Sequence, residues 1–518
     1  MTTAAALSKL QAGDPLLSPV AHVTIGKDVL ELVSTAMYVD PMTIYREYVQ
    51  NAADAIDEAR RTGQLDGPGV IEISFDTAAA TRSIRIRDNG AGLAWPRFTE
   101  TLTAIGGSAK RGTTARGFRG VGRLAGLGFA QEVVFRSRVD GEDNVSELRW
   151  DCRRLKAALR EPGDTGVEDL IREIVTVRQV LVADYPQRFF EVELKGVVRQ
   201  GGDRLMSAHA VEDYLAQVAP VPFSPDFSFG DEIAAALKSS VNLETLDIHV
   251  AGGGPIYRPH RDAISAGDGR DVVFETLRFV EVPGVDGGAA AVAWFLHHDY
   301  AGALPNSTLV KGLRLRSGNI QVGDHTLLEG LFPEPRFNVW SVGEIHVLDP
   351  RLIPNGRRDN FEQNIHLTNL HNHLAPMAKE IARRCRTSSA RRKWLREFDV
   401  HRQIATEKLR ILAQGSLPAV EREAVGASIE QAIGRMTQIG AMDALLDTDA
   451  GVLEPAILAL REEANAASAQ SAPPSPLSHL SAADREMYEG FFALIYECSA
   501  NRTAAKALID RIIRKLSN

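Results

Sequence analysis

Residues 45–55 read YREYVQNAADA, and the way this run folds decides the reading of everything around it. The run has strong helical character, being rich in alanine and straight-chain polar residues. Within it Glu47, Asn51 and Asp54 stand four and three residues apart, a spacing that returns to nearly one face of an α-helix. Ile44, Tyr48, Ala52, Ala55 and Ala59 form an adjacent apolar stripe, the side expected to pack on a core. Two carboxylates and a carboxamide therefore line the edge of an apolar face. Such an edge is either a solvated rim or one wall of a site.

Outward from this helix the pattern alternates. GVIEISFD (69–76) and RSIRIRDNG (82–90) read as paired strands, with β-branched residues at alternate positions between turn formers. A helix is expected over 95–105, strands at 131–139, 145–151 and 188–198, and a further helix over 27–37 ahead of the opening motif. The stretch 153–187 carries no decisive pattern. Few helices against an antiparallel sheet make an α+β layer over 1–204. A second α/β region follows over 205–370, with a helix at 211–223 and strands at 291–298, 312–324 and 338–350. From 371 to 518 strand signals vanish and helices are expected, with a flexible Ala/Ser/Pro linker near 464–482. The last amphipathic stretch, 485–516, offers an apolar face to the body of the protein or to a second subunit.

Composition narrows the class. The chain has 518 residues, 44% of them hydrophobic and 24% charged, the balance of an ordinary globular protein. No apolar run approaches a membrane span, and the first twenty residues lack the basic start and apolar core of a signal peptide. Cys152, Cys385 and Cys498 lie far apart, with no disulfide or metal spacing, so a cytoplasmic setting is expected. A net charge of −8 speaks against nucleic-acid binding by the chain as a whole. The thirteen histidines show no metal spacing; His297 and His298 end a strand, and His366, His371 and His373 read as structural or exposed.

Two further segments carry chemistry. Asp88-Asn89-Gly90-Ala91-Gly92 follows a strand directly. Its glycines permit close approach of a ligand to the backbone, and its aspartate can accept from an exocyclic amine such as that of adenine. Residues 105–130, IGGSAKRGTTARGFRGVGRLAGLGFA, hold Lys110 in a small-residue loop; Gly117, Gly120, Val121 and Gly122 then lead into an expected helix. Backbone amides at a glycine-rich helix start form a phosphate cradle. The segment has neither the Gly-Lys-Ser/Thr of a Walker loop nor the placement of a dinucleotide fingerprint.

In this order and within one domain, these segments resemble the GHKL nucleotide-binding superfamily of gyrase, the ninety-kilodalton heat-shock chaperones, histidine kinases and MutL. REYVQNAADAIDEAR (46–60) and LTAIGGSAKRGT (102–113) follow the chaperone pattern nearly step by step, and GFRGVGRLA (117–125) leans equally toward MutL. The resemblance implies the α/β sandwich of that superfamily (the Bergerat fold) and an ATPase using Mg²⁺. It assigns Glu47 as general base, Asn51 as the Mg²⁺ ligand and Asp88 as the adenine contact, with Gly90 and Gly92 shaping the base pocket. Lys110, Gly117, Gly120, Val121 and Gly122 face or wrap the phosphates; Ser108 bonds a phosphate or caps a turn. Asp54 borders the nucleotide or forms a helix-edge salt bridge. In DPRLIPNGRRDNFEQ (349–363), similar to the chaperone middle-domain loop, Arg358 becomes the γ-phosphate sensor, with Arg357 as substitute and Lys311 as a MutL-like candidate.

Two departures stand out. Ala104 replaces an asparagine, and the short interval between Gly112 and Gly117 implies a shortened lid. The resemblance implies a chaperone-like clamp on protein clients, dimerising through the C-terminal helices, although the chaperone's own dimerisation domain is not recognisable. The alternative is a MutL- or MORC-like clamp acting with nucleic acid, for which the basic stretch 383–396, RRCRTSSARRKWLR, speaks. No histidine-kinase phosphoacceptor helix precedes the site.

Overall fold

The computed structural model describes residues 25–32, 40–106, 120–162, 166–181, 185–199, 201–241, 243–266, 269–414, 417, 419–446, 449–469 and 476–516. The chain divides into two compact units, one of residues 1–298 and 303–379, the other of residues 299–302 and 380–518.

Alternation builds the first sheet. In β1 (Val70–Asp76) Ile71 and Ile73 are buried while Glu72 and Ser74 face outward, and β2 (Ser83–Asp88) pairs with it antiparallel, Ile73 opposite Ile86. β3 (Glu132–Arg138), β4 (Asn144–Asp151), β5 (Val175–Leu181) and β6 (Phe189–Lys195) extend it by antiparallel pairs. β7 (Asp247–Val250) completes the order β5-β4-β3-β6-β2-β1-β7 and runs parallel to β1. The expected limit at 204 thus does not bound this sheet. The outer edge of β1 needs a hydrogen-bonding partner, and β7, with Ile248 and Val250 buried, supplies it from farther along the chain.

The opening helix, α1 (Thr43–Arg61), lies on the apolar face of this sheet; Ile44, Tyr45, Tyr48, Ala52 and Ile56 share a core with Ile71, Ile84, Phe135, Trp150 and Leu194. α2 (Trp95–Thr103) adds Phe98 and Leu102. The undecided stretch 153–187 becomes α3 (Cys152–Arg160), α4 (Val167–Ile174) and β5. α3 begins where Asp151 Oδ1 accepts from the N–H groups of Arg153 and Arg154, each at 3.0 Å. Of the helix expected over 27–37, the described part is Asp28–Glu31; residues 33–39 lie outside the described residues.

The other face of the sheet is ionic. Arg136 donates to Glu147 at 2.9 Å and to Glu191 and Glu193 at 2.8 Å each. Burial alone pushes the Glu147 and Glu193 carboxyls up, but Arg136 and its neighbours outweigh it and hold both below the ordinary range.

α5 (Ala208–Val218) starts on a Ser207 cap, and its Val211, Leu215 and Val218 complete the first core. Beyond it come the ribbon of β8 (Ala263–Ser265) and β9 (Asp271–Val273) and a five-stranded sheet. That sheet comprises β10 (Thr276–Pro283), β11 (Ala289–His297), β12 (Gly312–Ser317), β13 (Ile320–Val322) and β14 (Val342–Val347), in the order β10-β11-β14-β12-β13. Only β12 and β14 pair in parallel.

The second unit is helical. The helix Ile365–Ala413 supplies its first segment from 380 on, followed by Ala419–Gly440, Ala450–Ala469, Ala482–Cys498 and Arg502–Leu516. Phe398, Ile433, Met436, Leu453, Phe492 and Ile509 form its core. Helix reaches Ala469, so the expected linker begins later than 464, and residues 470–475 lie outside the described residues. No described helix is long and apolar enough to cross a membrane.

Candidate active site

The edge of α1 is not a solvated rim. Glu47 and Asp54 are each 7% exposed, and Asn51 between them is half-buried. Three separate parts of the chain meet this edge.

The first is the loop after β2. Asp88, 5% exposed, accepts the Gly90 N–H at 2.9 Å through Oδ1, closing a tight turn. The turn presses on α1: the Ala91 N–H donates to the Ala55 carbonyl at 3.0 Å. A Cβ on Gly90 would stand 2.7 Å from the Ala55 backbone, so only glycine fits there. Gly92 adopts φ +68° with the Arg138 carbonyl 2.6 Å from where its Cβ would be. Sequence reasoning missed the residue that steadies this loop. Arg188, the first residue of the strand expected over 188–198, donates to the Gly90 carbonyl at 3.0 Å and to the Asn89 carbonyl at 3.4 Å.

The second is the glycine segment. Gly120 has φ +69°, and Gly122 opens a turn of 3-10 helix, Gly122–Gly128, rather than the expected α-helix. Three glycines in seven residues disfavour α-helix, and the Gly126 N–H donates instead to the Tyr48 hydroxyl at 3.0 Å. That hydroxyl also donates to the Arg123 carbonyl at 3.2 Å, so one tyrosine of α1 clips the whole turn. Gly120, Val121 and Gly122 are all half-buried here. Gly122 lies directly against Glu47: a Cβ on it would be 2.3 Å from Glu47 Oε2. The Arg123 guanidinium, held down to about 10 by burial, donates to the carbonyl of Ala104, the residue that departs from the chaperone pattern. Lys110, Gly117 and Ser108 lie outside the described residues.

The third is the loop 354–361. Arg358 is buried, has φ +55°, and brings Nε to 4.0 Å from Glu47 Oε1. Arg357 is exposed, and Lys311 donates to Asn306 close by in its own loop. The loop is held by a residue that sequence reasoning did not single out. Arg46, 6% exposed, donates to the Arg357 carbonyl at 2.8 Å and to the Arg358 carbonyl at 3.3 Å, while its Nη2 stands 3.6 Å from Glu47 Oε1. The Gly323 N–H donates to the Arg358 carbonyl as well, at 2.8 Å.

A buried glutamate, a buried aspartate beside tight glycines, a glycine turn and an arginine thus meet along one helix edge. Among the described residues no cluster of three His, Cys, Asp or Glu side chains could hold a metal by itself. A lone carboxamide oxygen such as that of Asn51 fits Mg²⁺, which keeps waters and takes other ligands from phosphates.

A family model described as "Histidine kinase-, DNA gyrase B-, and HSP90-like ATPase" matches residues 41–164, the stretch that carries Glu47, the aspartate turn and the glycine turn. Among curated proteins, the chaperone protein HtpG of Bordetella parapertussis is 32% identical over 143 residues, 24% of this chain and 22% of HtpG. HtpG of Polaromonas naphthalenivorans is 27% identical over 202 residues, 34% of this chain and 30% of HtpG. For HtpG of Burkholderia lata the values are 26% over 219 residues, 38% of this chain and 31% of HtpG. The chain spans less than a third of the length of these relatives. On this match, and on the motifs gathered about α1, residues 41–164 carry a domain of the GHKL ATPase superfamily, similar to part of HtpG.

Proposed function

We propose that the chain binds ATP with Mg²⁺, hydrolyses it, and uses the cycle to drive a conformational clamp on protein clients. One observation carries this reading. Glu47 touches Gly122 and stands 4.0 Å from Arg358, on the same helix edge that packs against the Asp88 turn. Asp88 accepts the adenine amine, with Gly90 and Gly92 letting the base approach the backbone. Glu47 orients water and takes its proton. Gly120 and the N–H groups that follow it face the phosphates, together with Lys110 and Gly117. Asn51 holds Mg²⁺, which supplies charge neutralisation when bound. Arg358 balances charge that develops on the γ-phosphate.

The client class comes from the HtpG likeness, and dimerisation through the C-terminal helices goes with it. The alternative, a clamp on nucleic acid, leans on the basic stretch 383–396. Several of its cations are already engaged inside the helical unit, which favours protein clients: Arg391 pairs with Asp449 at 2.6 Å, Arg384 pairs with Glu380 at 3.2 Å, and Arg392 donates to the Ala301 carbonyl. The test is a pair of variants. Glu47→Ala should keep ATP binding and lose turnover, and Asp88→Asn should lose binding. Unchanged turnover in the first, or normal affinity in the second, overturns the assignment. ATPase activity stimulated by DNA and lost with salt would favour the alternative.

A further inference from the structure

The five-stranded sheet contains an ionic network with no place in ATP chemistry. Glu344 on β14 is wholly buried. Its Oε1 accepts from Arg316 Nε at 2.6 Å, and Oε2 accepts from Arg258 and lies 3.2 Å from His346 Nε2. Arg258 and Arg316 are 2% and 1% exposed. Burying such a trio is costly, and an apolar core of equal volume is often as stable or more so; a role in fixing register is the better-attested use.

The outward contacts show what is fixed. Arg316 donates to the Gln217 carbonyl at 2.7 Å and to the Ala219 carbonyl at 3.3 Å. Arg258 Nε donates to the Val221 carbonyl at 3.0 Å, and its guanidinium lies 4.5 Å from the Phe223 ring centre. Carbonyls at 217, 219 and 221 are the exit of α5, the helix that shares a core with Tyr45 and Tyr48 of α1. Arg316 lies on β12, which pairs with β13, and just beyond β13 the Gly323 N–H holds the Arg358 carbonyl.

We propose that Glu344 is a positioning residue for ATP turnover: by holding Arg258 and Arg316 on the exit of α5, it registers the sheet bearing the Arg358 loop against the helix bearing Glu47. The inference rests on the ATPase reading above.

The experiment is a double-mutant cycle on the full chain. Glu344→Gln should lower kcat by about tenfold or more, as expected when a cationic group is displaced by a fraction of an ångström, with ATP affinity held within about threefold. In the Glu344→Gln background, Arg358→Ala should cost under about twofold, because the arginine is already out of register. Hydrogen exchange at the Gly323 amide should quicken. Arg316→Lys, which keeps the charge but loses the fork to the α5 carbonyls, should behave in the same direction.

A merely structural role would lower the melting temperature and leave the full Arg358 effect, and that result overturns the proposal. So does failure of both variants to fold. If the unaltered chain shows no ATP turnover, the ATPase reading fails instead, and Gly323 exchange alone decides whether the network governs the loop.

Discussion

Replacing Gly122 with alanine should stall hydrolysis and spare ATP binding. Gly122 is not among the glycines with positive φ, so the backbone itself tolerates a side chain. The obstacle is Glu47: the new methyl would sit 2.3 Å from Oε2 and 3.4 Å from the carboxyl carbon. Ordinary contact requires a retreat of about 1 Å. α1 cannot supply it, since Ile44, Tyr45, Tyr48 and Ile56 are locked in the core. The carboxylate must rotate away instead. Misplacing a catalytic group by about 1 Å costs on the order of 100-fold in rate, or about 2.7 kcal/mol of barrier. Asp88 and its turn meet α1 at Ala55, two turns farther along, so the base pocket is undisturbed. Steady-state phosphate release gives kcat, and titration with a fluorescent ATP analogue gives affinity. A kcat within about twofold of the unaltered protein would remove Glu47 from its role as base or Gly122 from contact with it.

Two further outcomes are expected. Arg46→Ala removes the guanidinium donor from the Arg357 and Arg358 carbonyls, the latter keeping the Gly323 N–H, and should lower kcat about tenfold with little change in ATP affinity. Arg46→Lys should rescue only in part, for want of a forked donor, and a full rescue in the same phosphate-release assay would mean that charge alone matters. His260, enclosed by Phe223, Phe227 and Trp294, is brought down to about 3 by burial, from an ordinary value of 6.5. The unfolded chain therefore takes up a proton below pH 6.5 that the folded chain refuses, so stability present above that pH is lost as pH falls toward 3. The loss is at most about 1.4 kcal/mol per pH unit. His260→Phe should flatten urea midpoints between these limits, and parallel curves for the two proteins would contradict it.

Local pattern disclosed much of this molecule. Alternation in 69–76 and 82–90 marks β1 and β2, and the steps from Glu47 to Asn51 to Asp54 place three polar groups on one edge of α1. What escaped was whatever depends on a distant partner. Arg46 reads as one more helix cation until the loop carbonyls beside it are seen. Arg188 reads as the opening residue of an expected strand, yet it props the Asp88 turn. Gly122 looked like the start of an α-helix because its sequence cannot show that Tyr48 will take the Gly126 N–H. β7 is four residues long, too short for alternation to announce, and it owes its place to an open edge 177 residues upstream, where Val70 stands opposite Asp247.

That borrowed strand decides how the protein can be divided in the laboratory. A fragment stopped at 204 would strip β1 of its neighbour and delete α5, leaving a row of bare amides and carbonyls beside uncovered leucine and valine. Exposed edges of that kind recruit other chains, and such a truncation invites precipitation whatever its nucleotide chemistry. A cut placed after Ile256, whose N–H closes back on Ile248, keeps the edge sealed.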